Sequence, residues 1–260
     1  MSRKTALITG ASAGIGLELA RVFAREGHDL VLVARNEAKL RQLADELTEK
    51  FKVSVRVLVK DLGLPRAPDE IFMELQGAGL RVDVLVNNAG FGSYGFFSET
   101  DLDHELQMIQ LNITALTHLT KLFLKEMLKR GEGKILNVAS TAAFQPGPLM
   151  AAYYASKSYV LSFSEALAEE VRGTGITVTC LCPGPTTSEF QGRANIGKDI
   201  LLMKGRMMSA QSVAEIGFRG LMKGKRVVIA GTTNRLLVLG TKLAPRALVT
   251  RIIKALQAGR

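Results

Sequence analysis

The stretch "LITGASAGIGLELARVFAREG", residues 7–27, decides how the rest of the chain is read. An apolar run stops at Gly10 and a helical pattern begins near Gly14, with Gly10, Gly14 and Gly16 packed into seven positions. Where a strand hands over to a helix without side chains in the way, backbone N–H groups at the helix start favour a phosphate or pyrophosphate. The spacing G-x-x-x-G-x-G is not the commoner G-x-G-x-x-G, and a glycine cluster alone can simply mark a tight turn. Its place after the first strand of an alternating chain is what points to a nucleotide.

That alternation runs outward from the turn. Short apolar runs lie at 5–10, 29–35, 53–59, 82–90, 134–140, 176–182 and 226–231. Most are continuously apolar, as expected of strands buried on both faces of a parallel sheet. Helical patterns fall between them at 14–26, 37–49, 66–78, 102–129, 152–172 and 210–222, several closed by glycines such as Gly27 and Gly173. Repeated β-α units of this size predict an α/β, single-domain, doubly wound fold: about seven parallel strands with helices on both faces. Residues 1–231 form the expected core and 232–260 an extension.

An apolar share of 47% in 260 residues is ample for one core. The net charge of +10 is uneven: residues 216–260 hold ten Lys and Arg and no acid, and the remainder balances at 24 against 24. A basic tail suits a solvated helix face, nucleic acid or an anionic membrane. With no aromatic residue interleaved, stacking on single strands is not expected. Leu248, Ile252 and Leu256, joined by Val249 and Ile253 among Arg246, Arg251 and Lys254, read as an amphipathic basic helix. It would pack on its own subunit or a partner, or make a peripheral membrane contact through 245–258.

Cys180 and Cys182, two apart on one strand, are too close for an unstrained disulfide and too few for a metal site, so free cytosolic thiols and no metal are expected. An apolar run beginning by residue 5 leaves no room for a signal peptide, and no run approaches the length of a membrane span. The expected location is cytoplasmic.

In a dinucleotide fold the second strand ends on a ribose reader, an acid when the ligand is NAD. Here it ends "LVARNEAKL", with Arg35 and no acid before Glu37. A guanidinium suits a 2′-phosphate by charge and bidentate donation, so NADP(H) is expected. Ala13 stands where a second basic residue could help, leaving Arg35 largely alone.

Taken together, "TGASAGIG" (9–16), "NNAG" (87–90), Asn112, Ser140, "YYASK" (153–157) and Pro183-Gly184 resemble the short-chain dehydrogenase/reductase family over about residues 5–230. The motifs stand in the family's order, with Tyr153 thirteen residues after Ser140. Tyr153 and Lys157, four apart on a helix, share a face. An ammonium there would bring a phenol down from its usual value of about 10. Tyr153 could then exchange a proton with a carbonyl or alcohol oxygen that Ser140 also holds.

The resemblance implies that Lys157 also bonds the nicotinamide ribose, and that Asn112 holds a water relaying protons to Lys157. Read by itself, Asn112 would sit on a solvated helix face. The family's cofactor contacts fall on Gly10, Ser12, Ala13, Gly14, Ile15 and Gly16, on Asp61 and Leu62, on Asn88, Ala89 and Gly90, and on Pro183, Gly184, Thr186 and Ser188, besides Tyr153 and Lys157. Tyr154 is read as packing. The family also implies a homodimer or homotetramer.

Three stretches, 91–97, 141–152 and 191–208, are expected around the reacting carbon. They supply Phe91, Phe96, Phe97, Phe144, Met150, Leu201, Leu202, Met203, Met207 and Met208, a lining for a small apolar carbonyl or alcohol. The third reads as a lid. Its Arg193, Lys198, Lys204 and Arg206 could instead meet an acidic carrier, which keeps a 3-oxoacyl-thioester reductase open. A dinucleotide-binding regulator without chemistry is the alternative from another class.

Overall fold

The computed structural model describes residues 3–187 and 207–258. Strands and helices alternate as β1 (Thr5–Thr9), α1 (Gly14–Arg25), β2 (Asp29–Ala34), α2 (Glu37–Phe51), β3 (Val55–Val59), α3 (Ala67–Gly77) and β4 (Val84–Asn87). A long helix follows in two parts, α4 (Leu102–Ile109) and α5 (Leu116–Arg130), joined by a π turn at Gln110–Ala115. Then come β5 (Gly133–Val138), a 3₁₀ turn (Thr141–Phe144), α6 (Ala151–Glu170), β6 (Ile176–Cys182) and β7 (Thr186–Thr187). The chain continues as β8 (Met208–Ser209), α7 (Ala210–Met222), β9 (Val227–Ile229), α8 (Thr232–Leu243) and α9 (Arg246–Gln257).

Seven strands form one parallel sheet in the order β3-β2-β1-β4-β5-β6-β9. Alternate residues of each strand feed two cores. Ala6 and Ile8 of β1 face Leu19 and Phe23 of α1, Leu40 of α2 and Val213 of α7. Leu7 faces the opposite layer, built from Ile71 of α3, Phe123 and Met127 of α5, and Leu167 of α6. The doubly wound architecture is therefore as expected. Strand order reverses between β1 and β4, and a crevice opens there at the carboxyl ends.

Local chemistry sets the boundaries. The side chain of Asn36 caps α2 by accepting from the Lys39 amide at 3.0 Å, and Lys52 ends it in the left-handed region. Three differences from the sequence reading follow from tertiary contacts. The helix expected over 102–129 is interrupted by the π turn. Residues 232–243, read only as extension, form α8. In α9 the inward face is Val249, Ile253 and Gln257, with Leu256 half-buried, whereas Leu248 and Ile252 are exposed. Val249 and Ile253 pack on Met108, Met150, Tyr153 and Tyr154, so this helix roofs part of its own subunit.

Candidate active site

The glycine turn closes on itself through its own contacts. Gly10 has a φ of 66°, and a Cβ on Gly16 would lie 2.3 Å from the Gly10 carbonyl oxygen and 2.4 Å from Asn88 Nδ2. Gly16 therefore packs beneath the turn instead of lining the cleft. Ala13 is the N-cap of α1 without a side-chain cap, and the first turn carries no acid. The helix start thus keeps unused N–H groups and its positive dipole end for an anion.

Asn88 holds this turn from the next strand end. Its Nδ2 donates to Thr9 O at 2.9 Å and to Gly10 O at 3.3 Å. Thr9 Oγ1 accepts from the amides of Asn88 and Ala89 and donates to Val86 O. Sequence reasoning passed over Thr9 as a site residue, although it ties the two strand ends that make the crevice.

A cleft of about 700 Å³ runs along these ends. Gly10, Ser12, Ala13, Gly14 and Ile15 form one wall, with Arg35, Lys60, Asp61 and Leu62 at one end. Asn88, Ala89 and Gly90 lie in the middle, and Ser140, Tyr153, Lys157, Pro183, Gly184 and Thr186 at the other end. Ser188 and most of the lid expected at 191–208 lie outside the described residues. At the first end Arg35 Nη1 stands 3.6 Å from Asp61 Oδ2 with most of the guanidinium exposed. Lys60 lines the same end, its ammonium paired with Glu70 at 2.8 Å. It sits one residue past a strand, where spacing alone does not single it out.

At the other end α6 presents Tyr153 and Lys157 on one face, both buried. Ser140 follows β5, its Oγ accepting from the Ala142 amide at 3.1 Å and donating toward Pro183 O at 3.4 Å. It also bonds the Tyr153 phenol, which favours the phenolate, but burial outweighs this and pushes the phenol up to about 12. The expected lowering by Lys157 is not what this geometry does. The Lys157 ammonium donates to Val138 O at 3.0 Å and lies 5.8 Å from the centre of the tyrosine ring. Burial brings that ammonium down to about 8, against the opposing pull of Cys180 and Cys182. Those thiols are free and buried, with Sγ atoms 3.8 Å apart.

Asn112 is not on a solvated face. The π turn rotates it inward, where Nδ2 donates to Phe91 O at 2.9 Å and to Ser156 Oγ at 3.1 Å, and Oδ1 accepts from the Phe91 amide. It braces the loop after Gly90, and a Cβ on Gly90 would come 2.8 Å from its Oδ1. Ser156 in turn donates to Tyr153 O at 2.7 Å. Tyr154 does more than pack: its hydroxyl accepts from Gln257 Nε2 at 2.7 Å, and Tyr94 donates to Gln257 O at 2.7 Å.

Of the apolar lining expected, Phe91 and Met150 do face the cleft, beside His104, Gln107 and Gln145. Phe96 and Phe97 turn to solvent, and Phe144 and Met208 pack into cores. Met207 precedes β8, whereas Leu201, Leu202, Met203, Arg193, Lys198, Lys204 and Arg206 lie outside the described residues. Among the described residues no group of three His, Cys, Asp or Glu could hold a metal, and no helix is long and apolar enough to cross a membrane.

The family described as short chain dehydrogenase matches residues 4–199. The chain belongs to that family. It is 39% identical over 183 residues to a very-long-chain 3-oxoacyl-CoA reductase of Macaca fascicularis, a match covering 68% of this chain and 58% of that protein. The chain thus spans little more than half the length of such relatives. A short-chain dehydrogenase from Sphingobium yanoikuyae, solved with NADPH, superposes with a TM-score of 0.83 at 34% identity, covering 92% of this chain and 93% of that one. A bulky-bulky ketone specific alcohol dehydrogenase from Comamonas testosteroni gives 0.79 at 31% identity, covering 93% and 92%. An uncapped helix start, a turn that admits no side chain at Gly16 and a cleft reaching from Arg35 to Lys157 fit a nicotinamide dinucleotide.

Proposed function

We propose that this chain is an NADP(H)-dependent reductase that converts an apolar carbonyl compound to its alcohol, with Tyr153 as general acid. The observation that carries this reading is the meeting of Ser140, Tyr153 and Lys157 at one end of a cleft whose other end presents the largely exposed guanidinium of Arg35. A bound dinucleotide supplies the hydride. Its diphosphate would rest on the Gly10–Ile15 turn and the N-terminus of α1, and its 2′-phosphate between Arg35 and Lys60. Asp61, Leu62, Asn88, Ala89, Gly90, Pro183, Gly184 and Thr186 line the remaining contacts, with Ser188 proposed on sequence grounds alone.

Ser140 donates to the carbonyl oxygen, and Tyr153 gives that oxygen its proton. A phenol near 12 is protonated throughout the physiological range, the form that reduction consumes. Lys157 stands behind the phenol, its ammonium held by Val138 O and 5.8 Å from the ring centre, and Asn112 holds the loop that faces it. In the reverse direction the same phenolate would take the alcohol proton.

Within this reaction class, a 3-oxoacyl thioester is the second substrate reading. It is favoured by the likeness to very-long-chain 3-oxoacyl-CoA reductases and by the apolar Phe91 and Met150 in the cleft. The test is NADPH oxidation across bulky ketones, aldehydes and 3-oxoacyl-CoA esters. Tyr153→Phe is expected to cost about 10²–10⁴-fold in turnover while dinucleotide affinity holds. Full activity in that variant would end the assignment, and turnover by thioesters alone would select the second substrate.

A further inference from the structure

Helix α8 is anchored at its start and otherwise nearly uncovered. Asn234 fills the space beside Gly184 and donates to Ala230 O at 2.6 Å, and Arg235 donates to Ile229 O at 3.2 Å. Beyond that, Val238 is its only buried residue. Leu236, Leu239 and Leu243, at i, i+3 and i+7, are 70%, 54% and 79% exposed, with Leu237 beside them at 64%. The following helix adds the half-exposed Leu248 and Ile252. Apolar residues in this number and spacing on one surface helix mark a docking face.

Charge says what docks there. Arg235, Lys242, Arg246, Arg251 and Lys254 lie on or between the same two helices, and no acid occurs from residue 216 onward. A second copy of this face would set cations against cations with no counter-charge from either helix, because a two-fold contact is self-complementary. The molecule has another exposed apolar group for contrast. Phe96, Phe97, Leu102 and Leu106 are interleaved with Glu99, Asp101 and Asp103, which an anionic surface would repel.

We infer that the face formed by α8 and α9 is a peripheral membrane-docking surface that seats its leucines among the acyl chains of an anionic phospholipid bilayer while its arginines and lysines meet the headgroups. The inference stands apart from the substrate reading. Because α8 starts against Gly184, docking would bring the mouth of the cleft next to the bilayer.

The experiment is flotation of the full chain with vesicles of phosphatidylcholine alone and with about 30 mol % phosphatidylglycerol, at low and high salt. Binding is expected to the anionic vesicles and to fall with salt. The Leu236→Glu/Leu243→Glu variant should weaken it by roughly tenfold or more, with dinucleotide binding unchanged. Leu102→Glu/Leu106→Glu, on the acidic face, should float like the parent. No binding to either vesicle, equal binding to both, or equal loss in the two variants overturns the proposal. So does sedimentation showing that Leu236→Glu/Leu243→Glu merely splits a dimer while the parent ignores vesicles.

Discussion

Replacing Lys157 by methionine should change stability by an amount that depends on pH, in a direction the buried ammonium dictates. An ordinary lysine titrates at 10.5, and burial brings this one to about 8. A lysine whose folded value lies below its unfolded one binds fewer protons when folded. The native state is therefore penalised as pH falls from 10.5, and the full penalty is in place below about 8. The drop corresponds to roughly 3 kcal/mol. Methionine removes that penalty along with the hydrogen bond to Val138 O, the latter worth about 1 kcal/mol at any pH. Comparing two pH values cancels the bond and leaves the ionisation. Thermal unfolding of dinucleotide-free parent and Lys157→Met, followed by circular dichroism near pH 6.5 and near 10.5, reads it out. The variant should gain on the parent by about 6–12 °C more at the lower pH. An equal difference at both would refute the desolvation of Lys157 and with it the claim that burial holds this ammonium poised.

Three further outcomes test other parts of the site. Arg35→Ala should weaken NADPH by roughly 10–100-fold and leave NADH nearly untouched, by fluorescence titration; equal losses would remove Arg35 as the 2′-phosphate reader. Gly16→Ala should cost at least about 1–3 kcal/mol in denaturant unfolding, because its Cβ has only backbone and the Asn88 amide to push against. A variant of parental stability would mean the turn is looser than these contacts make it. Gln257→Leu strands the Tyr154 hydroxyl and should cost about 1–3 kcal/mol. It should also raise KM more than it lowers kcat, since the roof over the cleft loosens while Tyr153 stays in place; unchanged KM would detach α9 from the substrate end.

The parts of this site that local chemistry builds were readable in advance. A turn without side chains, continuous apolar strands and a Tyr–Lys pair one helical turn apart each state their geometry within a few residues. What stayed hidden depends on long-range meetings. Thr9 gains its role only because β4 ends beside β1, and its amide partners lie 79 and 80 residues away. Gln257 reaches Tyr154 across 103 residues, in a tail whose leucine periodicity pointed to the wrong face. Phe96 and Phe97 show the converse: apolar composition marks a residue as able to line a pocket without saying which way the loop turns it. The Tyr153 phenol was misjudged because sequence spacing brings the ammonium near but does not show that it bonds Val138 instead.

The π turn at Gln110–Ala115 has a bearing on how this helix can diverge. One surplus residue sets α4 and α5 out of phase by about 100°, so Met108 points to the substrate side while Leu119, Phe123 and Met127 point to the sheet. Asn112 sits at the changeover. Losing a single residue there would realign the two halves into one α-helix, swinging either Asn112 out of the site or three core side chains off the sheet. The long helix behaves as a vernier with one permitted setting: its outer face is open to substitution, its length is closed to insertion and deletion.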